Sequence, residues 1–266
     1  MIDEVVSALR EVAQELVLPR FQNLAVGDVM EKSPGDLVTI VDQEAEAALT
    51  PRLAGLLHGS LVVGEEAVAA DHLVLERIGD PGPVWVIDPI DGTGNFAAGR
   101  EPFAMMVALL RKGEPVLSVI YEPVPGTVCT AEAGSGAFID GTRITMDSSP
   151  PTLDELHGSL SVKYLPETLR EQVLSRASEL KSWSRGQHCA GREYPEVVRG
   201  KQDFTLFWKS LPWDHAPGAL LVREAGGVVK HFDGSEYDPA QPKQGLLACR
   251  SDEVFDLVRR TLLEGR

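Results

Sequence analysis

Trp85-Val86-Ile87-Asp88-Pro89-Ile90-Asp91-Gly92-Thr93-Gly94-Asn95-Phe96 is the stretch around which the rest of the chain is arranged. The apolar, β-branched run Val84 to Ile87 has the pattern of a buried strand, expected to stop at the acidic residue that precedes a proline. The loop at that strand end carries Asp88 and Asp91, with Pro89 stiffening the first step and Gly92 directly after the second. If Pro89 turns the backbone back, both carboxylates and the Ile90 carbonyl converge as hard oxygen ligands of the kind Mg²⁺ takes. Thr93 brings a hydroxyl to the same corner. Gly92, Thr93 and Gly94 offer backbone N–H groups with little obstruction, and a helix beginning near Asn95 would point its positive end there. In isolation, a solvated Asp-Pro…Asp-Gly turn explains the same residues, so the pattern takes its weight from its companions.

On the N-terminal side, Ile2, Val5, Val6, Leu9, Val12, Ala13 and Leu16 fall at helical spacing, and the helix they predict is disturbed or ended near Pro19. After the breaker cluster Lys32-Ser33-Pro34-Gly35-Asp36, the run Leu37 to Asp42 reads as a short strand ending on a carboxylate. Asp42 suits an N-cap for the helix expected over Glu44 to Leu57, in which Pro51 is an interruption. Leu61-Val62-Val63 reads as another buried strand, ending at Gly64-Glu65-Glu66, where two acids also suit a solvated helix start. Several strands that each finish in a carboxylate point to one shared cation site, since unpaired acids would otherwise repel one another.

On the C-terminal side, Met105 to Leu110 and Val116 to Tyr121 read as a β-hairpin, continued by strands at Thr127 to Ala131 and Ala137 to Ile139 around a Gly134-Ser135-Gly136 turn. Ser148-Ser149-Pro150-Pro151-Thr152 is the expected boundary between an N-terminal lobe, 1–147, and a C-terminal lobe, 151–266. The second half has an α/β pattern. Helix-like segments at Pro166 to Leu180 and Tyr194 to Arg199 alternate with apolar runs near Leu206 and Val228. Asp214 stands where a helix begins and suits an N-cap, with Leu220, Leu221 and Ala225 on that helix's stripe and Gly226-Gly227 as its stop. His215 reads as a packing or surface residue, and Ser251-Asp252-Glu253 opens the last helix.

A chain of 266 residues can bury the core of one large domain or two compact lobes. Its 25 Lys and Arg against 40 Asp and Glu give a formal charge of −15, which repels nucleic acid and anionic membranes at long range. A small phosphate ligand is still admissible, because bound divalent cations reverse the sign of a site locally. No signal peptide and no run of membrane-spanning length is evident, so a cytoplasmic protein is expected. Cys129, Cys189 and Cys249, odd in number and widely spaced, read as reduced, packed thiols.

Taken together, Asp36-Leu-Val-Thr-Ile-Val-Asp42, Gly64-Glu65-Glu66, Asp88-Pro-Ile-Asp-Gly-Thr93, Trp213-Asp214-His-Ala-Pro-Gly218 and Glu224-Ala-Gly-Gly227 resemble the inositol monophosphatase family of Mg²⁺-dependent phosphomonoesterases, in its order and spacing. The resemblance implies a mixed α+β and α/β fold, a layered αβαβα sandwich of the inositol monophosphatase and fructose-1,6-bisphosphatase type. It implies metal ligands at Glu65, Asp88, the Ile90 carbonyl, Asp91 and Asp214, binding two or three Mg²⁺ ions or substituting Mn²⁺. Glu65 and Thr93 then orient and activate the attacking water, with Asp42 supporting the threonine. The backbone of Gly92 and Thr93 cradles phosphate, and Asp91, Ala190 and Asp214 complete the substrate site.

By the same resemblance the substrate is a small phosphorylated metabolite, inositol monophosphate by default, the enzyme is inhibited by Li⁺, and the assembly is a homodimer without nucleic acid or membrane. Histidinol phosphate and 3′-phosphoadenosine 5′-phosphate are the alternatives; an interaction protein with vestigial activity is the alternative of another class. The departures lie in the leaving-group region. Phe207 stands where the inositol phosphatases place a glutamate against ring hydroxyls, and Cys189-Ala190-Gly191-Arg192 replaces a Gly-Ser-Ala stretch. Arg192 reads as a surface residue or a cation near the leaving group, and Glu193 falls where an acid is often found.

Overall fold

The computed structural model describes residues 1–33, 36–147, 149 and 152–264. Residues 34–35 of the predicted breaker cluster 32–36, and residues 148, 150 and 151 of the predicted lobe boundary 148–152, lie outside the described residues; Lys32, Ser33 and Asp36 belong to strands instead.

Helix α1 (Ile2–Val12) places Val5, Ala8, Leu9 and Val12 on one buried stripe and passes into a π turn over Ala13–Val17. A hairpin of β1 (Val29–Ser33) and β2 (Asp36–Thr39) leads directly into α2 (Ile40–Leu56). Two strand-to-helix units follow: β3 (Leu61–Gly64) into α3 (Glu65–Ala70), and β4 (Pro83–Asp91) into α4 (Thr93–Ala97). A meander of β5 (Ala104–Arg111), β6 (Glu114–Glu122), β7 (Thr127–Glu132), β8 (Gly136–Ile139) and β9 (Thr142–Ile144) completes a seven-stranded sheet in the order β3-β4-β5-β6-β7-β8-β9. Only β3 and β4 pair in parallel; every later neighbour is antiparallel.

The second half contributes β10 (His157–Leu160), α5 (Glu167–Arg176), β11 (Ser182–Ser184), α6 (Ala190–Val198), β12 (Phe204–Phe207), α7 (Pro212–Glu224), β13 (Val228–His231), β14 (Leu246–Cys249) and α8 (Asp252–Val258). Its sheet runs β11-β10-β12-β14-β13.

Strand periodicity explains the layering, because alternate side chains must find a core on each face of a sheet. Trp85, Ile87, Met105 and Val107 face α1 and α2, where Leu9, Leu49 and Leu53 meet them. Ala104, Met106 and Ile120 face the opposite way, onto Tyr194 of α6 and Leu221 of α7, which also touch Leu246 and Ala248 of the second sheet. The far face of that sheet, with Leu206 and Leu247, is covered by Val173 of α5 and by Val254 and Val258 of α8. Helix pair, sheet, helix pair, sheet, helix pair is the αβαβα sandwich that the resemblance implies.

Four local expectations change. Strand β4 does not stop at Asp88; it continues to Asp91 through an irregularity in its pairing with β5, so the two acids sit on a bulge. Strand β2 ends at Thr39, and Asp42 lies within the first turn of α2; Thr39 is the N-cap, and Asp42 answers it by accepting the Thr39 N–H at 2.8 Å. Helix α7 starts on Pro212, whose missing N–H costs nothing in the first turn, and no side chain caps it. Asp214 therefore lies within the first turn of the helix, as its third residue, and makes no capping bond. Helix α2 runs unbroken through Pro51, with Leu49 and Leu53 fully buried around it.

Leu49→Ala should cost about 2–5 kcal/mol in urea denaturation, whereas Leu73→Ala, at a residue 66% exposed, should change stability by no more than about 0.5 kcal/mol.

Candidate active site

Because β3 and β4 run parallel with Gly64 opposite Ile87, the residues that follow them emerge side by side: Glu65 at the start of α3 and Asp88 on the β4 bulge. The N-terminal turn of α7 brings Asp214 to the same place. Glu65, Asp88, Ile90, Asp91, Gly92, Thr93, Ala190 and Asp214 all line one cavity of about 360 Å³. That volume suits a small metabolite. Asp42 stands behind this wall, one hydrogen bond away.

Each group is held by identifiable contacts. Asp88 Oδ1 accepts the Ile90 N–H at 3.0 Å, which tightens the bulge. Asp91 Oδ2 accepts the Gly191 N–H at 2.5 Å; a Cβ at Gly191 would press on Ala104 and on that carboxylate, so glycine is required there. Gly92 has φ 87°, and a Cβ on it would meet the Pro102 carbonyl at 3.0 Å. This left-handed residue starts α4, so the N–H groups of its first turn line the cavity with Gly92, Thr93 and Gly94. The Thr93 hydroxyl has two acceptors for its proton, Asp42 Oδ1 at 3.0 Å and the Ile90 carbonyl at 2.9 Å. Asp42 Oδ2 is fixed in turn by the Thr39 hydroxyl at 2.5 Å.

The electrostatics are those of acids forced together. Burial, then the charges of Glu65, Asp91 and Asp214, push the Asp88 carboxyl well above its ordinary range. Asp214 is raised by burial and then by Asp91 and Glu65, although it keeps an opening onto the cavity. Asp91 rises to about 6, chiefly through burial, against the lowering effect of the Gly191 N–H. Asp42 rises to about 7, again through burial. Lys32 of the β1–β2 hairpin supplies one counter-charge, at 2.9 Å from Glu65 and 2.5 Å from Glu66. Burial alone would lower its pKa, but Glu65 and Glu66 outweigh this and keep the ammonium protonated.

One supporting residue is invisible in the sequence. Glu46, buried on α2, accepts the N–H groups of Glu66 and Ala67 at 2.8 Å each, capping α3 from the side. Gly64 has no side chain because a Cβ there would overlap this carboxylate. Burial raises Glu46 to about 7, despite those two amides. The helix that presents Glu65 is thus fixed by a residue some twenty positions away, and the only local hint was glycine before the paired acids.

Of the other sequence candidates, Arg192 and Glu193 do not line the cavity, whereas His215 and Phe207 do. Arg192 is not near a leaving group: it pairs with Glu122 at 2.6 Å, and Glu122 also faces Arg199 at 3.7 Å. Glu193 is buried and accepts the Gln187 N–H at 2.5 Å and the Thr205 hydroxyl at 3.0 Å, holding the loop before α6. His215 lines the cavity but is a packing residue: its Nε2–H donates to the Lys209 carbonyl at 2.8 Å and its Nδ1 accepts from Tyr194 at 2.9 Å. Burial pushes it down to about 3, so the ring is neutral. Phe207 stacks on Tyr194 and presents an apolar edge to the cavity.

The donor set fits a hard divalent cation in kind. Glu65, Asp88, Asp91 and Asp214 are carboxylates whose mutual repulsion a cation would relieve, and Ile90 adds a carbonyl. Among the described residues no three such side chains are already closed into a coordination cluster. That agrees with Lys32 holding Glu65 and the Gly191 amide holding Asp91.

The profile described as the inositol monophosphatase family matches residues 1–262. A fructose-1,6-bisphosphatase/inositol-1-monophosphatase of Thermotoga maritima is 33% identical over 245 residues, covering 89% of each chain. The Nus factor SuhB of Escherichia coli is 27% identical and covers 98% of this chain and 99% of its own. The crystal structure of an extragenic suppressor protein, suhB, from Bartonella henselae superimposes with TM-score 0.85 at 27% identity, over 100% of this chain and 99% of the other.

Burial lifts these carboxyls above the value of about 4 that they have in an unfolded chain. The metal-free fold then holds more protons than the unfolded chain between about pH 4 and 7, and its stability falls as pH rises through that window. Mg²⁺ should displace those protons, so its thermal upshift should be larger at about pH 7.5 than at about pH 5.5; an equal or larger shift at acid pH contradicts this. Glu46→Gln should raise the Mg²⁺ concentration giving half of that upshift by about tenfold or more, read by the same melting titration.

Proposed function

The chain belongs to the inositol monophosphatase family and is a phosphomonoesterase, and on that premise we propose that it hydrolyses a small phosphate monoester in a Mg²⁺-dependent reaction. The observation that carries this reading is the enclosure of Asp88, Asp91, Asp214 and Glu65 around one cavity beside the Thr93–Asp42 pair. Glu65, Asp88, the Ile90 carbonyl, Asp91 and Asp214 would hold the metal. A bound divalent ion supplies Lewis acidity, easing ionisation of a water and offsetting charge on phosphate oxygens.

The chain's own residues supply the remainder. With its proton directed to Asp42 Oδ1, the Thr93 hydroxyl keeps lone pairs to accept a hydrogen bond from water and so orient its oxygen toward phosphorus. Asp42, lifted to about 7, can take a proton handed on through Thr93 near neutral pH. The first-turn amides of α4 offer donors to the nonbridging oxygens, whose charge shifts as the phosphorus–leaving-oxygen bond breaks. Inositol monophosphate is the default substrate, carried by the names of the relatives. Phe207 leaves one wall without an acceptor for ring hydroxyls.

A relative is named a Nus factor, which brings the interaction reading forward. The acid set is intact and the charge of −15 opposes direct RNA contact, so both favour the enzyme.

Asp88→Asn and Asp214→Asn should each abolish Mg²⁺-dependent phosphate release from inositol 1-phosphate while a folded far-UV spectrum is retained. Undiminished turnover in both variants would overturn the assignment.

A further inference from the structure

Among the described residues, four other than glycine have a left-handed backbone: Gln22, Lys112, Asp140 and His188. Lys112 and Asp140 each precede a left-handed glycine in the two-residue turns that join β5 to β6 and β8 to β9, where such angles are the rule. Gln22 donates its side-chain amide to the Gly99 carbonyl at 3.0 Å. His188, at φ 55°, belongs to no hairpin and lines the reaction cavity. A residue with a Cβ adopts this angle at a cost, and keeps it only where its surroundings over-determine it.

The surroundings of His188 do so. Gln187 is gripped by both of its backbone groups: its N–H donates to the buried Glu193 carboxylate at 2.5 Å, and its carbonyl accepts from the Asn95 side chain at 2.9 Å. Asn95 donates again to the Pro102 carbonyl at 2.9 Å, so the loop is tied to α4. On the other side, the Cys189 carbonyl accepts the N–H groups of Arg192 and Glu193 at 3.1 Å each as α6 begins. The His188 carbonyl lies 3.4 Å from the point that a Gly92 Cβ would occupy, which sets the loop against the first turn of α4.

What this backbone presents is an imidazole. The ring is exposed and has no hydrogen-bond, ionic or ring partner among the described residues. The cavity wall around it is committed or one-sided: the Cys189 thiol donates to the Asp91 carbonyl at 3.7 Å, His215 spends both ring nitrogens, Phe207 is apolar and Lys209 can only donate. With the Ser161 and Tyr164 hydroxyls, His188 is left as a group able both to donate and to accept, as a hydroxyl does.

Resting on the phosphatase reading above, we propose that His188 is a specificity-determining residue, whose ring hydrogen-bonds a hydroxyl that the leaving alcohol carries beside the ester. Recognition of hydroxyls, which the apolar wall at Phe207 does not provide, then falls to the loop before α6. An alcohol of the same size without the hydroxyl displaces water from the ring and replaces none of its hydrogen bonds.

The test compares kcat/KM within pairs that differ only in hydroxyl groups: inositol 1-phosphate with cyclohexyl phosphate, and glycerol 1-phosphate with propyl phosphate. The hydroxylated member should be favoured by about tenfold or more. Hydroxyl groups also make an alcohol a better leaving group, so the change of this ratio in variants decides. His188→Gly and His188→Asn both suit the left-handed backbone and so separate the ring from the loop. His188→Gly should lose most of the preference through a higher KM for the hydroxylated member, and His188→Asn, which keeps a donor and an acceptor, should retain part of it. Unchanged ratios in His188→Gly would overturn the proposal. So would an equal loss on both members of each pair, which would make His188 a shaper of the loop alone, or equal kcat/KM within both pairs in the wild type. Phosphate release from none of the four esters overturns the phosphatase reading, and the proposal with it.

Discussion

The constraint on which the structure turns is the burial of like charges. Asp88 and Asp91 are 2% and 8% exposed, and with Asp214 and Glu65 they line a single cavity. Carboxylates so placed repel one another and are also stripped of water, so the fold alone gains nothing by collecting them. Their cost is offset only when a cation enters or when protons remain bound. The rest of the chain can be understood as the apparatus that holds this arrangement against its own repulsion.

That apparatus is mainly backbone and small residues. A strand bulge presents two acids, a parallel strand pair presents a third, and a helix that begins on proline presents the fourth. Glycine stands at 64, 92 and 191 because a carboxylate, a carbonyl or a methyl group occupies the space a side chain would need. Supporting acids lie one contact further out: Asp42 behind Thr93, and Glu46 behind the helix that starts at Glu65. The hairpin lysine, Lys32, lends a positive charge to Glu65 and Glu66. The two sheets meet at the α6–α7 layer, which is why residues from both halves of the sequence reach one cavity.

Much of this was legible in the sequence where periodicity or a local motif carries the information. Strand β4, the β5–β6 hairpin and the stripe on α1 follow from apolar spacing, and the Asp88–Thr93 motif with Glu65 and Asp214 marks the cavity wall. Boundaries were harder. The sequence suggests that β4 stops at Asp88 and that Asp42 and Asp214 cap helices; a bulge, a capping threonine and a leading proline decide otherwise. Long-range partners leave no local pattern, which is why Glu46 and His188 could not be singled out and why Arg192 could not be assigned to Glu122. The sequence marks His215 as a packing or surface residue, yet its pairing with Tyr194 and with the Lys209 backbone emerges only from the fold.

The most direct measurement of the central idea is the number of protons released when Mg²⁺ binds, obtained by titration calorimetry in buffers of different ionisation enthalpy. Buried carboxyls that exchange protons for a cation should release protons near pH 6.5 and progressively fewer as pH rises past about 8. Binding with no proton release at any pH, or no binding at all, would contradict the account.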